Sequence, residues 1–371
     1  MPNNGSRRGR STGRLVGVAL AAAALSVGTG ALPATAHGGP GHRLPTVRQV
    51  DDVSDVPGRA AITDPKLVNA WGLTFGPTTP LWSANNGSDS STLYTGGAGG
   101  TAVTKVSAIE VGVAGAPTGV VFNDTTDFSV TGPGGTAPAR FIFATESGDI
   151  LAWDLNATPG TAVREAHVPG AIFKGLTLVH TDAGPFLLAA DFHHGRVQAF
   201  DADFNPVHLP SSLFRDRDLP HGYAPFDVVS LDGAVYVSYA KQDKDASDEV
   251  DGRGLGFVDR YTGFGRFVHR VASRGTLNAP WGMAIAPASF GRTAGALLVG
   301  NFGDGRINVF DARGGHFRGQ LKGTNGRTLV IDGLWALLPG TATSGGTDAV
   351  WFSSGPDDES HGLVGRLLPT G

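Results

Sequence analysis

The chain has 371 residues, with 29 Lys and Arg against 33 Asp and Glu for a net charge of −4, and no cysteine. That weakly negative balance, without a basic stripe, excludes a phosphate-neutralising nucleic-acid surface. The missing thiols exclude disulfides, thiol catalysis, zinc–thiolate sites and iron–sulfur clusters. Stability must come from packing, which a chain of this length can supply.

At the N-terminus, Arg7, Arg8, Arg10 and Arg14 precede an apolar run from Leu15 to Val27, and Ala34-Thr35-Ala36 is an A-x-A cleavage site. This pattern predicts a signal peptide over 1–36, a mature start at His37, a flexible stretch over 37–44 and secretion to the extracellular space. The apolar run is too short for a membrane span, so no membrane association is expected after cleavage. Gly9 and Arg10 stand where a twin-arginine signal needs an apolar residue, which favours the general secretory route over the twin-arginine one.

The 56 glycines and 23 prolines make about a fifth of the chain, a turn-rich composition typical of all-β folds. From residue 69 onward a phrase recurs, a small or Pro residue, a bulky one, Gly, then an apolar strand. Its copies are Asn69-Ala70-Trp71-Gly72-Leu73, Ala116-Pro117-Thr118-Gly119-Val120 and Phe173-Lys174-Gly175-Leu176. Three more follow, Ala224-Pro225-Phe226-Asp227-Val228, Ala279-Pro280-Trp281-Gly282-Met283 and Ile331-Asp332-Gly333-Leu334. The marked positions 72, 119, 175, 227, 282 and 333 lie 47, 56, 52, 55 and 51 apart.

Within each copy a second apolar strand ends in a polar turn, as in Phe141-Ile142-Phe143-Ala144 before Glu146-Ser147-Gly148. A third strand often closes on aromatic-Asp, as at Trp153-Asp154, Phe200-Asp201 and Phe310-Asp311, where the Asp is expected to staple a turn. Thr131 to Gly135 reads as a loop insertion in the second copy. Alternation and β-branched content mark strands, and no capped helical period appears. Six such units over residues 45–371 predict an all-β, six-bladed β-propeller. The sixth unit has three strands, and Pro45 to Val50 has no blade of its own. The N-terminal strand is therefore expected to complete the last blade and remove an open edge.

The stretch Trp71-Gly72-Leu73-Thr74-Phe75-Gly76-Pro77-Thr78-Thr79-Pro80-Leu81-Trp82 resembles a family of secreted bacterial propeller proteins, some with a PEP-CTERM sorting tail. So does the ending from Phe352 to Leu363, and the similarity spans residues from about 45 to 368. The resemblance, NHL-like in its six-bladed form, implies a propeller and export, and it brings no activity. The tail itself is missing, so surface sorting is not carried over.

Blade geometry places residues preceding each first strand and following each second strand around one mouth of the axial channel. In chain order these begin with Asn69, Asn85, Asn86, Glu146 and Lys174, followed by Asp191, His193, Asp227, Lys241 and Asn278. The set ends with Asn301, Asp332, Asp357 and His361, with His194, Asp243, Asp304 and Asp358 beside them. Asn and Asp form turns for backbone reasons alone. Glu146, the His193-His194 pair and the Asp357/Asp358/His361 group are residues that turns do not need.

Convergent carboxylates and amides suit a hard cation, and Glu146, Asp191 and Asn301 are the candidate ligands for Ca2+ or another divalent ion. The histidines lack an H-E-x-x-H spacing for a transition metal. The acidic stretch Lys241 to Gly252 lacks the glycine and glutamate positions of a calcium loop and reads as an insertion able to cover the mouth. No G-x-S-x-G is present, and the glycine clusters precede no helix.

Two functions compete. One is an extracellular binding propeller, a monomer whose polar mouth takes a small molecule, glycan, peptide or protein. The alternative is a cation-dependent hydrolase or lyase polarising a lactone or ester oxygen, with six-bladed calcium lactonases as an analogy of fold alone.

Overall fold

A computed structural model describes residues 44–370. The expected signal peptide over 1–36 lies outside the described residues. In the described part, the second and third strands are apolar on both faces, so each sheet must be sandwiched between two others. The hydrophobic clusters bear this out. Phe141 and Phe143 pack with Trp82 and Leu93 of the first blade, whereas Ile142 and Ala144 pack with Phe173 and Leu187 of the third. Likewise Leu297 and Val299 face Tyr236 and Val258 of the fourth blade, while Leu298 faces Val350 and Phe352 of the sixth.

The result is six antiparallel blades. Their first three strands run Ala70–Thr74, Leu81–Asn85 and Ser90–Thr95 in blade one, and Pro117–Phe122, Phe141–Thr145 and Asp149–Trp153 in blade two. Blade three has Phe173–Thr181, Gly184–Asp191 and Arg196–Phe200, and blade four Tyr223–Leu231, Ala234–Lys241 and Gly256–Thr262. Blade five has Pro280–Ile285, Leu297–Asn301 and Ile307–Phe310, and blade six Leu334–Pro339, Val350–Ser354 and Leu363–Thr370. Among the described residues helix is confined to short 3-10 turns.

Each first strand bulges against the second at the repeated phrase, between Ala70 and Leu73, Pro117 and Val120, Phe173 and Leu176, and Pro225 and Asp227. Blades five and six do so between Pro280 and Met283 and between Leu334 and Leu337. A bulge bends the strand where it meets its neighbour at the axis. The glycines there allow the contact. A Cβ on Gly72 would lie 2.6 Å from the Thr118 carbonyl oxygen, and one on Gly119 2.4 Å from the Leu176 nitrogen. On Gly282 it would lie 2.3 Å from the Trp335 carbonyl oxygen.

Two local expectations change. The sixth axial phrase is Trp335-Ala336-Leu337, in register with Trp71-Gly72-Leu73, and not the one around Gly333. Gly333 has φ 59 and serves the turn entering the blade, so its glycine signal came from a different constraint. Thr131 to Gly135 belongs to a hairpin, Ser129–Gly132 paired with Gly135–Pro138.

The ring closes as the sequence predicts. Thr46–Ser54 pairs antiparallel with Leu363–Thr370, from Thr46 opposite Thr370 to Ser54 opposite Leu363. A fork seals this seam: Arg366 Nε and Nη2 each donate to Asp52 at 2.8 Å, with both side chains buried. Bidentate geometry of this kind is among the stronger side-chain contacts. The aromatic-Asp endings also act as expected: Asp154 Oδ1 accepts from the Asn156 and Ala157 amides, and Asp311 Oδ1 from those of Arg313 and Gly314.

Candidate functional site

The bulged phrases aim one side chain per blade at the axis. Trp71, Phe226, Trp281 and Trp335 come from four blades and fill it. Trp71 stacks on Trp335 with ring centroids 3.6 Å apart, Trp281 meets Trp335 edge-on at 5.6 Å, and Phe302 covers Trp335 at 4.1 Å. This plug is a buried apolar cluster and gives the mouth above it a low-dielectric floor.

Lys174, the third blade's residue in the same position, passes beside the plug. It is 1% exposed, and its Nζ lies 5.2 Å from the Trp71 ring centre. The ammonium ends among acids, 2.6 Å from Glu146 Oε1 and 3.0 Å from Asp248 Oδ1. Burial alone would pull its pKa down, but Glu146, Glu249 and Asp248 reverse that and hold it above the usual lysine range.

Amides complete the circle. Asn69 accepts from Trp335 Nε1 at 3.1 Å and donates to Glu359 Oε2 at 2.5 Å and Asn86 Oδ1 at 3.3 Å. Asn86 in turn donates to Glu146 Oε2 at 2.9 Å. Negative charge exceeds positive here. Burial pushes the Glu249 carboxyl up to about 7 against the pull of Lys174, with Glu359 and Asp251 adding to the rise. Burial raises Glu359 as well, against the Asn69 bond and Lys174.

The insertion after Lys241 lies across this mouth. Gln242 Nε2 donates to the Phe192 carbonyl at 2.6 Å, and the Ala246 carbonyl meets His193 Nδ1 at 3.2 Å. Asp248 reaches Lys174, and the Gly252 amide donates to Asn278 Oδ1 at 2.6 Å. The stretch thus spans from the turn of blade three to the entry of blade five.

Of the residues expected at the mouth, Asn69, Asn86, Glu146 and Lys174 come together, with His193 and Asn278 on the rim under the insertion. Lys241 sits over the Tyr223 ring, 5.5 Å from its centre. Asp332 accepts from the Asp357 amide at 3.0 Å, Asp357 pairs with Arg59 at 3.2 Å, and His361 pairs with Asp55 at 2.8 Å.

Asn85, Asp191 and Asn301 are equivalent, each fully buried at the end of a second strand and each bonded to groups of its own turn or the next strand, Asn301 also to the segment entering its blade. Asn85 donates to Ser90 and Thr92, and Asp191 accepts from the His194 ring at 2.8 Å and from Arg196 at 3.2 Å. Asn301 donates to the Thr276 carbonyl and to Asp304, and accepts from Asn308. Asp227 lies elsewhere, on the axis beyond the plug.

A divalent cation does not fit Glu146, Asp191 and Asn301. The first has both oxygens engaged by Lys174 and Asn86, and the other two staple their own turns. Among the described residues no group of three or more His, Asp or Glu side chains could hold a metal ion.

Sequence reading missed Glu249 and Glu359 as members of the site. Both stood in acidic runs, and which member of a run turns inward depends on the backbone. Asp357, Asp358 and Glu359 take φ of 57, 52 and 62 in succession, a left-handed turn that composition cannot reveal.

Fold and site together define a six-bladed propeller whose plugged channel opens on an acidic mouth built around one buried ammonium. No protein-family model matches the chain. It is similar to uncharacterized protein R648 of Acanthamoeba polyphaga mimivirus, 32% identical over 326 residues that cover 85% of this chain and 78% of that protein. Uncharacterized protein L690 of the same virus is also 32% identical, over 321 residues covering 83% and 82%. The chain belongs to the family of these proteins. The six-bladed propeller that the sequence resemblance implied is present in this chain. Among solved structures, virginiamycin B lyase from Staphylococcus aureus superposes with TM-score 0.46 at 10% identity, covering 88% of this chain and 99% of that one. A gluconolactonase from Xanthomonas campestris gives 0.40 at 15%, covering 62% and 82%. These distant likenesses concern the fold alone.

Proposed function

We propose that this chain is an exported binding propeller whose mouth takes a positively charged segment of a peptide or protein, a Lys or Arg side chain entering the acidic ring. The observation that carries the reading is the imbalance at the mouth: Glu146, Asp248, Glu249 and Glu359 surround the single ammonium of Lys174. Burial raises two of those carboxyls, Glu249 and Glu359, and the positive charge of a ligand would offset that rise. Export rests on the arginine-rich start, the apolar run and the A-x-A site. The hydrolase alternative has less support, because the Glu146, Asp191 and Asn301 oxygens it called on are engaged by protein groups.

The test is a calorimetric titration with a Lys/Arg-rich decapeptide, an acidic decapeptide and a neutral oligosaccharide. The basic peptide binds, more weakly as salt rises. Asp248→Asn combined with Glu249→Gln weakens it roughly tenfold, about 1.4 kcal/mol. A basic peptide that binds no better than the acidic one, or an oligosaccharide that alone binds, overturns the reading.

A further inference from the structure

The face opposite the acidic mouth holds a second feature that the reading above does not use. Below the tryptophan plug the axial channel reopens as a cavity of about 200 Å³ walled by the first strands of all six blades. Every blade gives it at least one aliphatic or thioether residue, among them Leu73, Val121, Leu176, Val229, Met283 and Leu337. Asp227 is the sole ionisable group among its lining residues.

That carboxyl stands where the other blades of this chain carry glycine or alanine. Where four other blades carry glycine at the axis, the fourth carries Asp227, and the bare Cα of Gly175 leaves room for it. The side chain is 6% exposed. Its Oδ1 accepts from the Val228 amide at 2.7 Å, and no described residue bonds its second oxygen.

The charged groups on strands packed against it are all committed elsewhere. Lys174 extends to the acidic mouth, His180 pairs with Asp124, Asp191 with His194 and Arg196, and Lys241 lies over Tyr223. Burial without a countercharge holds the carboxyl protonated, up to about 8.

We propose that this lower cavity is a binding site for a small apolar amine, its hydrocarbon part against the six side chains and its ammonium on Asp227. An ammonium brings three donors and the missing positive charge to a carboxylate oxygen that lacks both. An enclosed cavity of 150 Å³ holds a benzene ring, so the space of this half-open one of about 200 Å³ admits a ring with a short aminoalkyl arm. On binding at neutral pH the Asp227 carboxylic acid loses its proton to solvent and the carboxylate pairs with the ammonium. No other bond changes.

Benzylamine is the probe, with toluene lacking the charge and methylamine lacking the ring. Calorimetry at pH 7 in two buffers of different ionisation heat is expected to show benzylamine binding with release of about one proton. Asp227→Gly, which installs the residue of the neighbouring blades, weakens binding at least tenfold. Asp248→Asn with Glu249→Gln at the opposite mouth leaves it unchanged, which separates this site from the one proposed above. Asp227→Asn keeps the shape of the side chain and gives the same loss should the glycine variant not melt cooperatively. Failure of benzylamine to bind, toluene or methylamine binding as well as benzylamine, or a loss that follows the mouth variant instead, would overturn the proposal.

Discussion

Lys174 keeps its charge at a depth where burial alone would discharge it, because Glu146, Glu249 and Asp248 crowd the ammonium. Lys174→Met removes that cation at nearly constant volume. At pH 8 the variant is expected to lose about 3 kcal/mol in chemical denaturation, the scale for breaking a buried pair. At pH 5 the loss shrinks, since Glu249, raised to about 7, is already protonated and needs no partner. Equal losses at both values would mean that the lysine matters only for packing.

Asp227 gives a second test at this scale. Its folded value of about 8 lies above the ordinary 3.8, so the native state binds the proton more tightly than the unfolded chain. Its contribution to stability is therefore complete below about pH 4 and declines as pH rises through 8. Asp227→Asn flattens that decline and gains on the parent with increasing pH. Denaturation midpoints at pH 5 and 8.5 check it. Residue types at the mouth were legible in the sequence because Glu146 and Lys174 serve no turn. Asn85, Asp191 and Asn301 were not distinguishable from ligands, because a turn staple and a cation site need the same oxygens.

Among elements, the first strand of each blade is fixed by a backbone approach that admits no side chain. Gly119→Ala, whose Cβ would sit 2.4 Å from the Leu176 nitrogen, is expected to cost roughly 3 kcal/mol or more. Gly160→Ala meets nothing within 4 Å and is expected to be neutral within about 0.5 kcal/mol. Thermal melts of the two separate axial crowding from a general glycine effect. Five of the six axial positions were readable from the repeated phrase. The sixth was displaced by three residues because Gly333 answers a positive φ while Ala336 stands at the axis. The seam between Thr46–Ser54 and the last blade was readable from strand counting, but the Asp52–Arg366 fork was not, since pairing across 314 positions leaves no local trace. Arg366→Met strands a buried Asp52 and is expected to cost about 3 to 5 kcal/mol.

At the scale of the whole molecule, the ring offers two axial ends of opposite character. One is acidic, amide-rich and crossed by the Gln242 to Gly252 stretch, and the other is an apolar cavity with one carboxyl. The aromatic plug of Trp71, Trp281 and Trp335 separates them. Export of the mature chain is checked by N-terminal sequencing of the protein recovered from culture medium, where His37 is the expected first residue. The most direct measurement of function is amide hydrogen exchange with and without the Lys/Arg-rich peptide. Binding in the acidic ring requires added protection over 242–251 together with the turns at 146–148 and 357–361. Protection confined to the blade rims or to the opposite face, with those three segments unchanged, would contradict it.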